Sequence, residues 1–204
     1  MFIGKFNKAF AVTSMGVISA VIGMFFALEG KLSQAILCLV ISGICDMFDG
    51  KIARKHNKTE EDSKYGIQID SLADIFAFGV FPVVILMTLG LTEWYYFIIY
   101  CLFIIAGITR LAHFNILAEQ KGPVKVYTGL PITSSALAYP FFWLIYAVFN
   151  LEISFLEIVY PVLMSIMAVM YILNVKIIKK PGKIINIIFT LAAIALAVWM
   201  IFFK

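Results

Sequence analysis

Charge is scarce in this chain. Only 14% of its 204 residues are Asp, Glu, Lys or Arg, 63% are hydrophobic, and the mean hydropathy is +1.00. A water-soluble domain of this size needs more polar material to cover its surface, so that class is excluded. The scarcity is also uneven. Residues 9–28, 75–92, 126–151, 158–175 and 184–203 contain no charged side chain. Each run is near or above the ~18 residues that carry a helix across a bilayer. Residues 32–45 and 94–109 form shorter runs that each continue as helix into a polar segment. The expectation is an all-α integral membrane protein, a bundle of about seven transmembrane helices within a range of six to eight. Cysteine is scarce too. Cys38, Cys45 and Cys101 all lie in apolar segments, which excludes a disulfide framework and leaves them as small core residues. Internal repeats, low-complexity tracts and interdomain linkers are absent, so residues 1–204 are expected to form one domain. The first apolar run lacks a small-residue cleavage site and reads as a retained helix.

The basic residues that do occur are distributed with a bias. With the N-terminus in the cytoplasm and seven spans threaded, fourteen of the sixteen lysines and arginines fall on the cytoplasmic side, and only Lys31 and Lys204 fall outside. That asymmetry sets orientation. The net charge of +4 then reflects loops at a membrane surface, and a nucleic-acid partner is not expected. Pro82 and Pro131 fall near or inside spans, where neighbouring helices can satisfy the freed carbonyl. Pro181-Gly182 marks a turn before the last run. Trp94, Tyr95 and Tyr96 read as an interfacial aromatic belt.

The informative acids are Asp46, Asp49, Asp70 and Asp74. The first two continue the helix of the second span, and the others open the third. On a helical wheel Asp46, Asp49, Gly50 and Ala53 share an arc of about 100°, and Gly66, Asp70 and Asp74 share about 80°. A short loop between antiparallel neighbours can bring the two stripes face to face. Each carboxylate costs roughly 2.5–3.5 kcal/mol near a bilayer centre. Protonation or divalent cations could compensate. All-oxygen ligation favours Mg²⁺ or Mn²⁺, and four carboxylates suit a pair of such ions, an arrangement used for in-line phosphoryl displacement. The competing structural account is an interfacial collar of ion pairs with Lys51, Arg54, Lys55 and Lys64. The small residues on the same arcs would let a flat group lie against the helix backbone.

These residues, Asp46-x-x-Asp49-Gly50-x-x-Ala53-Arg54 followed by Gly66-x-x-x-Asp70-x-x-x-Asp74, resemble the signature of the CDP-alcohol phosphatidyltransferase family. Asp70-Ser71-Leu72-Ala73-Asp74, Thr109-Arg110-Leu111-Ala112-His113-Phe114-Asn115 and Thr128-Gly129-Leu130-Pro131 are similar to segments of its serine-specific members. Two departures stand out. The spacer between Arg54 and Gly66 is eleven residues against the usual eight or nine, which predicts a longer cytoplasmic loop within residues 58–63. Gly16 stands where members often have an asparagine after the threonine matching Thr13.

The resemblance implies a membrane enzyme with its active site at the cytoplasmic face of the cell membrane. It would transfer a phosphatidyl group from CDP-diacylglycerol or CDP-archaeol to L-serine and release CMP, and a homodimer is expected. Asp46, Asp49 and Asp70 would hold two divalent cations, while Asp74 would share one and serve as general base. Asp46, Gly50, Ala53, Arg54 and Gly66 would bind the nucleotide. For the acceptor, Arg110 is the candidate cation for the serine carboxylate, since guanidinium pairs with carboxylate in two-point fashion. His113, three residues on, is a second candidate, and Lys121 and Lys125 read as loop residues for lipid headgroups. Ser134 and Ser135 could hydrogen-bond within the bundle as well as bind ligand. The alternatives are the same chemistry with inositol phosphate, glycerol 3-phosphate or choline, and a divalent-cation transporter.

Overall fold

The computed structural model describes residues 8–56, 59–121, 126–174, 176–178 and 191. The expected run at 184–203, apart from Leu191, lies outside them, as do Pro181-Gly182 and Lys125. Six helical passages follow one another: α1 (Lys8–Leu28), α2 (Leu32–His56), α3 (Glu60–Asp74) continuing through a wide π turn (Ile75–Val80) into α4 (Phe81–Thr88), α5 (Trp94–Lys121), α6 (Ser135–Val148) and α7 (Ile153–Ile172). Passages 8–28, 61–88, 94–118 and 153–172 are long and apolar enough to cross a membrane, and residues 132–148 form a shorter apolar helix. The protein is therefore a multi-pass, all-helical membrane bundle. The strands among the described residues form a short antiparallel ribbon of β1 (Val126–Thr128) and β2 (Lys176–Ile178).

Small residues decide the tightest packing. Along α1 the buried positions are Ala9, Thr13, Gly16, Ser19, Ala20, Gly23 and Ala27, a seam at alternating helical spacing. Without bulky side chains on that seam the α1 backbone closes onto α2, as in membrane helix pairs that rely on packing where lipid offers no hydrophobic drive. A methyl on Gly23 would sit 2.7 Å from Cys38 Cβ and would collide with the Phe81 ring, so α4 also presses on the seam. Ser19 donates to the Cys38 carbonyl at 2.9 Å and Ser42 to the Gly16 carbonyl at 2.9 Å, pinning the pair. The opposite face of α1 carries exposed Met15, Ile18, Ile22 and Phe25, and α7 exposes Ile158, Val162, Ile166 and Val169. Both stripes suit lipid.

The apolar runs and the helices differ in three places. Residues 126–151 do not form one helix, because Gly129 adopts a positive φ of 74° and Pro131 precedes a single 3₁₀ turn (Ile132–Ser134) before α6 begins. Glycine is required there, since a Cβ would lie 2.9 Å from the Tyr171 carbonyl oxygen. The loop expected within residues 58–63 is shorter than the spacer suggested. Thr59 caps α3, accepting from the Asp62 backbone N–H at 3.1 Å, and the acids Glu61 and Asp62 favour a helix start there. The third passage is not a regular α-helix either. Ile75–Val80 winds as π-helix beginning one residue after Asp74, and such turns are frequent at functional sites.

Candidate active site

The four aspartates converge. Asp46 and Asp49 sit in the polar half of α2, Asp70 and Asp74 in the last turns of α3. Carboxylate oxygens of Asp46, Asp49 and Asp70 lie within 4.8 Å of one another. Asp74 stands beside them within hydrogen-bonding reach of Asp46. Asp49 and Asp74 are only 3% and 9% exposed. Three convergent oxygen donors at this spacing fit a hard divalent cation, and the donor set contains no soft ligand. Lys51, one candidate for an ion-pair collar, stacks its ammonium over the Phe48 ring, 4.8 Å from the centroid.

A residue not foreseen as part of the site fixes Asp49. Thr13, on the small-residue seam of α1, places its hydroxyl 2.6 Å from Asp49 Oδ2 and donates to it. Gly16 explains itself in the same contact. A methyl there would lie 3.2 Å from Cys45 Cβ, so the position sets the closeness of α1 to the acid-bearing part of α2.

Between α2, α3, α5 and the turn before α6 lies a cavity of about 180 Å³. Asp46, Asp70 and Asp74 form one wall, and Arg110, Asn115 and Thr133 contribute polar groups to the others. Arg110 ends the uncharged run 94–109, and the helix continues past it into a polar segment, as expected. It lies in the middle of α5 and is 8% exposed. It also lines a neighbouring cavity of about 230 Å³ with Thr109, His113, Tyr171 and Asn174. His113 lines this second cavity with Arg110, and not the one that Asp46, Asp70 and Asp74 line.

Gly50 is half-buried beside the cluster, and a methyl there would meet no atom within 4 Å, so the space over it is open. Gly66 lies one turn before Asp70 on α3, and Ala53 and Arg54 continue α2 beyond Gly50. Ser134 and Ser135 bond inside the bundle. Ser134 donates to the Pro131 carbonyl, and Ser135, fully buried, lies 3.0 Å from the Phe78 carbonyl oxygen and from the Tyr171 hydroxyl.

The chain is similar to several known proteins. The chain is 31% identical over 147 residues to the archaetidylserine synthase of Methanothermobacter thermautotrophicus, covering 72% of this chain and 61% of that protein. It is 34% identical over 135 residues to the CDP-diacylglycerol–serine O-phosphatidyltransferase of Helicobacter pylori, covering 61% and 52%. The protein of that name from Saccharomyces cerevisiae is 33% identical over 129 residues, covering 59% and 46%. The chain thus spans about half the length of the curated relatives it matches. The sequence pattern of the CDP-alcohol phosphatidyltransferase family matches residues 6–203, nearly the whole chain, and the protein belongs to that family.

Proposed function

We propose that the protein transfers a phosphatidyl group from CDP-diacylglycerol or CDP-archaeol to the hydroxyl of L-serine, releasing CMP. The observation that carries this reading is a cavity walled by three carboxylates of the four-aspartate cluster, Asp46, Asp70 and Asp74, and by one buried arginine, Arg110. Family membership supports the reaction type, and the names of the three relatives support serine as acceptor. The active site faces the cytoplasm, and the chain acts as one membrane-embedded domain that pairs as a homodimer.

In this reading Asp46, Asp49 and Asp70 hold two divalent cations, Mg²⁺ or Mn²⁺, with Asp74 sharing one. When bound, such ions neutralise the diphosphate and stabilise the charge that gathers as CMP departs. The remaining work falls to the chain. Gly50, Ala53 and Gly66 form the floor under the cytidine, and Arg54 contacts the nucleotide or its diphosphate. The serine hydroxyl oxygen attacks the phosphorus that bears the lipid, the bond from that phosphorus to the CMP oxygen breaks, and Asp74 takes the hydroxyl proton. Arg110 holds the serine carboxylate on the far side of the cavity, away from the acids that would repel it.

The test is direct. Detergent-purified protein is incubated with CDP-diacylglycerol and a panel of alcohols, and CMP and the lipid product are identified. Phosphatidylserine formed only with a divalent ion, lost with EDTA and restored by adding ion back, is the expected result. Ion flux into proteoliposomes without CMP release would favour the transporter alternative.

A further inference from the structure

The cavity wall contains a pair, Ser71 on α3 and Asn115 on α5, to which the proposed reaction gives no role. Ser71 lies on α3 between Asp70 and Asp74, and its hydroxyl donates to Asn115 Oδ1 of α5 at 3.0 Å. Both residues line the cavity of about 180 Å³ together with Arg110. A serine hydroxyl that donates to the amide oxygen fixes which way the amide faces. The Asn115 NH₂ group is then turned from Ser71, with two N–H donors and no acceptor to offer.

Resting on the proposed transfer to an amino-acid alcohol, we propose that Asn115, oriented by Ser71, is a specificity-determining residue that donates to the acceptor's carboxylate alongside Arg110. The charge pattern of the cavity favours this. Three carboxylates form one wall, so an acceptor carboxylate is stable only against the α5 wall, where the donors are. One guanidinium plus one neutral amide matches a single negative charge. A phosphorylated alcohol carries about two charges and asks for a further cation. The pair therefore selects a small hydroxy amino acid, with its hydroxyl toward Asp74.

The experiment measures KM for serine, KM for CDP-diacylglycerol and kcat for purified wild type, Asn115→Ala, Asn115→Asp and Ser71→Ala, with melting followed in detergent. Asn115→Asp keeps the acceptor that Ser71 bonds but puts a carboxylate where the donor stood. Its KM for serine should rise roughly ten- to a hundredfold, the range for a hydrogen bond to a charged group. Its KM for CDP-lipid should stay within about twofold. Ser71→Ala keeps the helix and removes only the orienting hydroxyl, and should raise KM for serine by a smaller factor while kcat holds. Unchanged serine KM in Asn115→Ala and Ser71→Ala, or equal rises for both substrates, overturns the assignment even if wild type makes phosphatidylserine. If wild type instead uses another carboxylate-bearing alcohol and Asn115→Asp raises that KM, the pair stands and serine falls as acceptor. If only alcohols without a carboxylate are used, both fall.

Discussion

The bond from Thr13 to Asp49 joins a helix with no acid of its own to the acid cluster. Thr13→Val keeps the side-chain shape and removes the donor. A hydrogen bond to a charged group is worth about 1.5–3 kcal/mol. The variant should need roughly tenfold more Mg²⁺ or Mn²⁺ for half-maximal CMP release, with little change in melting temperature. Asp49→Asn should abolish turnover while the protein still folds, and near-normal activity there would sink the two-cation proposal. Gly50 offers a separate check. Because the space over it is open, Gly50→Leu should fold normally but raise KM for the CDP-lipid, and an unchanged value would refute the nucleotide floor. The aspartates were legible in the sequence because acids are rare in an apolar chain and their spacing fixes a helix face. Thr13 was not, since a threonine in a span is ordinary and its partner is 36 residues away. Asn115 stood in a recognised segment, yet only folding shows that it meets Ser71.

Among the elements, the α1–α2–α4 contact is set by backbone closeness. Gly23→Ala would press a methyl onto Cys38 Cβ and the Phe81 ring, and overpacking of this kind costs about 1–3 kcal/mol. A lowered melting temperature is expected, whereas Gly50→Ala, with open space, should melt no lower than wild type. Equal melting of the Gly23→Ala protein and wild type would show that α4 gives way. The helices themselves could be placed from uncharged runs, since lipid forces each span to satisfy its own backbone. Their ends and irregularities could not. The early start of α3 depends on the Thr59 cap, and the π turn after Asp74 leaves no mark in an apolar string such as Ile75-Phe76-Ala77-Phe78-Gly79-Val80. The split of residues 126–151 had a local signal, Gly129 and Pro131, that the absence of charge outweighed.

For the whole molecule, the bias of basic residues predicts sidedness. A cysteine at Asn150, in the turn between α6 and α7, should react with a membrane-impermeant maleimide on intact cells once Cys38, Cys45 and Cys101 are replaced by serine or alanine. One at Thr59, between α2 and α3, should react only after lysis. The reverse pattern would place the acid cluster on the outer face and overturn the cytoplasmic site. The arginine shared by two cavities has a consequence for substrate range. Arg110 acts as a partition between a chamber of about 180 Å³ that holds the acids and one of about 230 Å³ that does not. Shortening it to alanine removes the proposed serine clamp and the dividing wall together. The Arg110→Ala enzyme should lose serine by a roughly ten- to a hundredfold rise in KM. It should also admit bulkier uncharged alcohols that the divided chamber shuts out, so one substitution would trade selectivity for breadth.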